Sequence, residues 1–407
     1  MLDRPYEAQL ASKRALVAAA FEAHRETADA PIDDVVPSPR IVGYRNRLLY
    51  PVATAGRKVI GGFFRRGSHD LIDVKMCAIQ DPAITSVAST LVSEIERLRL
   101  PILPLPGTES VAGDEVRSAD WSEGAATPAH EKSSHSGSAA IRALAVRLAP
   151  GSGELMVALV TTSGLLPAAE DLARAAERAS ADALTASRRR ARLASVMRNI
   201  QDGETNVVLG RRSLPIKGRD YLLDRFFGFQ WRVSLPSFTQ PNMEAARAAV
   251  QHLLREVSDS AAGVVVDAYA GIGMLALALS RSAARVVAIE QAASAVRDGR
   301  ENVKMNRLRN VDFVEGDAAS AIPEAAARGP VSLLVLDPPR RGLSEAALEA
   351  SLRAAPLRIA YLACSPQSHA RDLAAVIRGG YRLERTTPFD FFPHTGHVEV
   401  LSVLRRR

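Results

Sequence analysis

After residue 238 the apolar positions of this chain gather into short runs, VVVDAYA, RVVAIE, VDFVEG, SLLVLDPP and IAYLACS, separated by segments with helical spacing. Strands that are apolar at nearly every position are buried on both faces, and their alternation with helices predicts βαβ units in a parallel, doubly wound sheet. The earlier half has another texture. Residues 6–24 carry apolar side chains at helical spacing and predict one helix. From Ile41 to Asp73 the Gly-punctuated segments IVGYRNRLLYPVA, KVIGGFF and DLIDV predict strands of an antiparallel sheet. Asp81 to Leu98 predicts a helix, and AIRALAVRLAPGSGELMVALVTT two strands around a Gly-rich turn. The Ala- and Arg-rich stretch from Ala168 to Met197 predicts one long helix. Between them, residues 107–138 are Gly, Ser, Ala and charge with lone Trp121, the pattern of a mobile loop or insertion.

The expected organisation is therefore a helix over 1–30, an α+β domain over 31–232 and an α/β domain over 233–407. Composition narrows the class. Of 407 residues, 47% are hydrophobic and 24% charged, ordinary for a soluble globular protein. The N-terminus is charged from its third residue and lacks the apolar core of a signal peptide. No run approaches the roughly 20 apolar residues of a membrane span, so a cytoplasmic protein without membrane contact is expected. Two cysteines cannot build a disulfide framework, nor alone a four-thiolate site. Lys and Arg outnumber acidic residues 52 to 45, a net +7 that suits a nucleic-acid partner without requiring one.

Chemistry enters at the strand ends. Val264–Asp267 runs into the turn Ala268-Tyr269-Ala270-Gly271-Ile272-Gly273, and the helical MLALALS follows. Glycines at 271 and 273 let a ligand approach the backbone closely. Nineteen residues past Gly271 the next strand ends in Glu290, placed to accept from ribose hydroxyls, and a third strand end supplies Asp317. The third glycine of the dinucleotide fingerprint is missing. That argues against a pyrophosphate and favours a nucleoside such as S-adenosylmethionine.

The fourth strand ends in Asp337-Pro338-Pro339-Arg340, with arginine where amine-directed methyltransferases place an aromatic. The fifth ends in Cys364, in the crevice where open α/β sheets bind ligands, a place for a nucleophile rather than packing. A thiolate suits methylation of uracil C5, because addition at C6 makes C5 nucleophilic. A base must then remove the C5 proton. Glu399 at the start of the last strand is one candidate, and His394 and His397 are rivals.

These segments together resemble the RNA uracil-5-methyltransferases. The resemblance is carried by FTQPN (238–242), DAYAGIG (267–273), the Glu290 strand end, LDPPRRGL (336–343), YLACSPQSHARDL (361–373) and FFPHTGHVE (391–399). YEAQLASK, GYRNRLLYPV and FFRRGSHDLIDVKMC in the first half match in the style of the ribosomal branch. It implies a Rossmann-like class I methyltransferase domain behind an α+β RNA-recognition domain, using S-adenosylmethionine. It makes Cys364 the nucleophile, Glu399 the proton acceptor, and Gln240, Tyr269, Glu290 and Asp337 cofactor contacts.

Three departures qualify it. Many ribosomal members carry an N-terminal β-barrel module, which this chain is expected to lack. They also hold an iron–sulfur cluster on four cysteines, of which only Cys77 has a counterpart, so no cluster and no metal are expected. Ser365 follows the nucleophile where Asn is usual.

The expected activity is 5-methyluridine formation in 23S ribosomal RNA by a monomer. A transfer RNA loop uridine is the alternative substrate, and a catalytically inactive RNA-binding homologue the alternative class. Either RNA must present an unstacked uracil. Tyr44, Arg45, Phe63, Phe64, Arg65 and Arg66 are the candidates for stacking and phosphate contact.

Overall fold

An apolar stripe at Ile84, Val87, Leu91 and Ile95 gives the first half its core, because those spacings put all four on one side of a helix. The computed structural model describes residues 3–65, 68, 70–104, 137–203, 208–260 and 263–407. Arg66 and, of the expected loop, residues 107–136 with Trp121 lie outside the described residues. The chain forms two compact units, one of residues 45–225 and the other of 1–44 with 226–407. The expected boundaries at 30 and 233 differ from this grouping, since the chain before Tyr44 joins the C-terminal half.

The chain begins with α1 (Tyr6–Glu22) of the second grouping. The 45–225 unit contains β1 (Arg47–Ala55), β2 (Lys58–Phe64), β3 (Leu71–Asp73), α2 (Pro82–Arg97), β4 (Ile141–Ala149), β5 (Glu154–Thr161), α3 (Ala169–Asp182), β6 (Arg192–Ile200) and β7 (Arg212–Gly218), with β8 (Tyr221–Phe226) at its end. Its sheet runs β3-β2-β1-β4-β5-β6-β7. All neighbours are antiparallel except β5 and β6, which are parallel and joined through α3. Asp81 caps α2 by accepting the Ala83 N–H, and Pro82 opens its first turn. The stripe of α2 packs on Leu144, Val146, Val157 and Leu159.

The helix expected over 168–197 is a correction. It stops at Asp182, Ala183 turns extended at ψ 136°, and Arg188 sits at φ 57° in the turn that follows. Residues 192–200 then form a strand between β5 and β7 with Val196 and Met197 buried. Alanine and arginine are good helix formers, but intrinsic propensity is a weak determinant and pairing on both edges outweighs it.

The other unit continues with β9 (Phe229–Ser234), α4 (Met243–Glu256), β10 (Val264–Ala268), α5 (Met274–Leu279), β11 (Arg285–Glu290), α6 (Ala293–Met305), β12 (Val311–Glu315), α7 (Ala318–Ala326), β13 (Val331–Leu336), α8 (Glu345–Arg353), β14 (Arg358–Ala363), α9 (Pro366–Arg378), β15 (Tyr381–Phe389) and β16 (Glu399–Arg406). Its sheet order is β12-β11-β10-β13-β14-β16-β15. Strands β10 to β14 are mutually parallel, and β16 runs antiparallel between β14 and β15. The doubly wound fold expected from the apolar runs is thus present. Strand order reverses beside β10, the switch point at whose carboxyl end such sheets bind ligands.

Helix α1 contributes Val17, Ala20 and Phe21 to this unit's core beside Val376 and Tyr381. The chain after it runs along β15, where Val36 donates to Pro388 O at 2.8 Å and Asp390 donates back to Val36 O at 3.0 Å.

Candidate active site

The last pair on β14 and β16 is Ala363 with Val400. Continuing that register by one residue sets Cys364 across from Glu399. Glu399 also pairs with Phe389 on its other side, so it stands in the sheet itself. On the next strands Leu336 pairs with Ala268, which brings Asp337 level with Tyr269, and Ala268 pairs with Ile289, which brings Tyr269 level with Glu290. One sheet edge therefore carries Glu290, Tyr269, Asp337, Cys364 and Glu399.

Their electrostatics join them into one cluster. Burial pushes the Cys364 thiol up to about 12, helped by Glu399 and Asp337 and opposed by Arg340. Glu399, 7% exposed, is raised well above the carboxylate range by burial and by Asp337. Asp337 rises to about 7 by burial. Asp267, in β10 below the turn, is pushed up to about 8 by burial first, then by Asp337, with Glu290 adding less. Among the described residues its two oxygens have no hydrogen-bond partner, the Ala276 N–H lying near enough only to oppose the rise. So many acids without a counter-charge favour their neutral forms until a cation arrives.

The turn above Asp267 is built for close approach. Tyr269, Gly271 and Gly273 have φ of 66°, 56° and 96°, a conformation that costs a non-glycine residue strain. A Cβ on Gly271 would meet nothing within 4 Å, whereas one on Gly273 would lie 2.7 Å from Phe313 Cζ. The first glycine thus borders open space and the second permits packing. The Gly271 N–H donates to Glu290 Oε2 at 2.9 Å and the Ala292 N–H to Oε1 at 2.8 Å, which fixes the carboxylate at the strand end.

Asp317 lies exposed at the next strand end and caps α7 by accepting from Ala319 N at 2.8 Å. Its charge helps hold the Tyr269 phenol up at about 12, after burial. Gln240 is buried on a turn that Asp298 anchors, accepting from Ser234 N at 2.7 Å and Ser237 Oγ at 2.7 Å. Asn242 ends that turn, capping α4 and donating to Phe391 O at 3.0 Å. Open space at Gly271, a fixed carboxylate at Glu290 and an uncompensated acid cluster fit a nucleoside cofactor bearing positive charge.

Sequence reasoning did not single out Asp267, although it opens the DAYAGIG segment; only its burial reveals it. Phe238, 46% exposed, was quoted within FTQPN without a role. The loop from Cys364 is also braced in a way the sequence hides. Tyr361 Oη donates to Asp372 Oδ2 at 2.6 Å, and the same oxygen accepts from Leu343 N at 2.8 Å, tying the DPPRRGL turn to α9. Ser365 caps α9 by accepting from Ser368 N.

The RNA candidates divide. Tyr44 is a correction, because it is buried and its hydroxyl donates to Pro393 O at 3.0 Å, leaving no ring face for a base. In the other unit, Phe63 and Arg65 are exposed, Phe63 at 37%, while Phe64 on the opposite side of β2 is half-buried. Phe63 pairs with exposed Ile72 on β3, and its ring stands edge-on to Tyr50 at 4.9 Å. Arg45 Nε donates to Arg47 O at 3.2 Å. Cys77 is half-buried, and among the described residues no His, Cys, Asp or Glu group is placed to hold a metal ion. Among them also, no helix is long and apolar enough to cross a membrane.

A family model described as tRNA (Uracil-5-)-methyltransferase matches residues 208–407. An RNA methyltransferase of Gloeobacter violaceus is 30% identical across 100% of this chain and 79% of its own length. One of Listeria innocua is 31% identical across 98% and 79%. The chain belongs to the RNA uracil-5-methyltransferase family. It is an S-adenosylmethionine-dependent RNA methyltransferase. Pyrococcus abyssi tRNA (uracil-54, C5)-methyltransferase, solved with S-adenosyl-L-homocysteine, shares the fold with a TM-score of 0.70 at 21% identity, covering 99% of this chain and 84% of that one.

Proposed function

We propose that this enzyme forms 5-methyluridine in RNA, with 23S ribosomal RNA as its substrate. The observation that carries the reading is the placement of Cys364 across the β14–β16 register from Glu399. The Cys364 thiolate adds to uracil C6, forming a C6–S bond and moving the C5=C6 pair onto C5 as an enolate with O4. S-adenosylmethionine, when bound, supplies the methyl group as a sulfonium electrophile. Once C5 carries its methyl, Glu399 takes the C5 proton, the C5–H pair restores C5=C6, and the thiolate leaves C6.

Glu290 holds the ribose hydroxyls, Gly271 admits the nucleoside on a turn that Gly273 lets pack against Phe313, and Gln240, Tyr269, Asp317 and Asp337 complete the cofactor contacts. Burial keeps Cys364 a thiol at rest. Positive charge beside Asp337 and Asp267 lowers the thiol and Glu399 together, so both ionise when the cofactor is in place. Arg340 acts in the same direction on the thiol. Of the rival bases, His397 is exposed and His394 is engaged at Nδ1 by Gln9, whereas Glu399 is rigid in the sheet.

The motifs of the first half support the ribosomal substrate, through FFRRGSHDLIDVKMC above all. A transfer RNA loop uridine is the second reading, supported by the description of the matching family model. Incubation with methyl-labelled S-adenosylmethionine and either undermodified 23S ribosomal RNA or transfer RNA, followed by nuclease digestion and mass spectrometry, tests both. Labelled 5-methyluridine from ribosomal RNA is expected. Label only in transfer RNA would move the substrate, and label in another nucleoside would overturn the chemistry.

A further inference from the structure

Helix α1 buries an unexpected face. Residues 9, 13, 17, 20 and 21 share one stripe, yet its first half is Gln9 and Lys13 rather than apolar. Lys13 is 1% exposed and its partner Asp390 0%. Burying an amide and an ion pair is costly unless every polar atom is used, and here the atoms converge on one loop. Lys13 Nζ donates to Asp390 Oδ1 at 2.5 Å and to Phe392 O at 2.9 Å. Tyr6 Oη donates to Asp390 Oδ2 at 2.9 Å. The His394 N–H donates to Gln9 Oε1 at 2.9 Å, and Gln9 Nε2 lies 3.2 Å from His394 Nδ1. With Tyr44 on Pro393 O and Asn242 on Phe391 O, each residue from Asp390 to His394 is held by a side chain from elsewhere in the unit. That loop joins the end of β15 to Glu399.

The hydrogen bonds also fix the state of His394. A backbone N–H can only donate, so the amide oxygen of Gln9 faces His394 N. The Gln9 NH2 group donates to Arg4 O at 3.0 Å, a carbonyl that can only accept, which orients the amide a second time. The remaining amide hydrogen therefore points to Nδ1, which must be an acceptor. The neutral ring then carries its proton on Nε2, a buried atom with no partner among the described residues. His394 is held at φ 67°, a conformation maintained only by such surrounding contacts.

We propose that α1 is a positioning element for the reaction: Lys13 and Gln9 set the loop leading into Glu399, and Gln9 locks the His394 ring in that loop as its Nε2–H tautomer. This rests on the methyl-transfer reading above. A ring whose Nδ1 is taken by Gln9 and whose Nε2–H is buried cannot compete with Glu399 for the C5 proton.

The test uses Gln9→Glu, which keeps the shape and the acceptor for His394 N but turns an acceptor toward Nδ1, forcing the proton there. Lys13→Met with Asp390→Asn serves as a second variant that leaves no unpaired charge. Spectra of 15N-histidine-labelled protein should show His394 as the Nε2–H tautomer in wild type and as Nδ1–H or imidazolium in Gln9→Glu. Steady-state methylation by Gln9→Glu should show kcat lowered about tenfold, the cost of a loosened Glu399, with cofactor affinity unchanged. His394→Phe should lower kcat similarly, and combining it with Gln9→Glu should add nothing further. Lys13→Met/Asp390→Asn should lower kcat and leave cofactor affinity intact. An Nδ1–H tautomer in wild type, an unaltered kcat in Gln9→Glu, or losses that track cofactor affinity in every variant would overturn the proposal. Were wild type inactive on every RNA, the methyl-transfer reading would fall, while the tautomer spectra would still decide the role of Gln9.

Discussion

Cys364 and Glu399 face each other one step beyond the last paired residues of two antiparallel strands, Ala363 and Val400. The sheet sets their separation. Burial raises both groups, and each carboxylate or thiolate formed makes the next harder to form. In the proposed mechanism a bound cationic cofactor reverses that order and so couples its binding to activation of Cys364.

Substituting Glu399→Gln keeps the shape and removes the proton acceptor. Turnover should fall by roughly 10²–10⁴, the usual contribution of a general base. The methylated adduct on Cys364 should accumulate on ordinary RNA and survive denaturation. Faster adduct breakdown than in wild type would contradict the role given to Glu399.

The buried carboxyl of Asp267 makes a prediction about stability. Its value rises from 3.8 unfolded to about 8 folded. Between those limits the folded protein binds more protons than the unfolded chain, so stability is greatest below pH 4 on this account and falls as pH rises toward 8. Asp267→Asn should flatten that fall by one proton in the pH dependence of the urea midpoint. An unchanged slope would mean that Asp267 is ionised in the fold.

At Gly273 an added methyl would meet Phe313 Cζ at 2.7 Å in a backbone held at φ 96°. Gly273→Ala should therefore cost about 1–3 kcal/mol and weaken cofactor affinity measured by calorimetry. Wild-type stability and affinity would show that the turn can relax.

Among the described residues of the 45–225 unit Phe63 offers an exposed ring on which a base could stack. Phe63→Ala should weaken RNA binding by roughly 1–3 kcal/mol and leave S-adenosylmethionine affinity unaltered. Arg65→Ala should instead reduce the salt dependence of RNA binding. Equal RNA affinity in both variants would remove this strand from the interface.

The doubly wound sheet was legible because its strands are apolar at almost every position, and Cys364, Glu290 and Asp337 because they stand at strand ends. Strand β6 was not legible, since Ala, Arg and Ser around Val196 favour no period and the pairing that decides it lies far off in sequence. Tyr44 read as a stacking ring because only tertiary contact reveals its bond to Pro393. The polar stripe of α1 hid for the same reason: Gln9 and Lys13 look solvent-facing until Asp390 and His394 meet them. Asp267 stood in view, yet its burial without a partner is a property of the fold alone.

The central claim is covalent addition of Cys364 to uracil C6. Incubating the enzyme with S-adenosylmethionine and RNA containing 5-fluorouridine tests it directly, because fluorine at C5 cannot leave as a proton. Wild type should give a denaturant-resistant protein–RNA band with the nucleotide on Cys364 by mass spectrometry, and Cys364→Ala should give none. Methyl transfer to unsubstituted RNA with no such band, or an identical band from Cys364→Ala, would contradict the account.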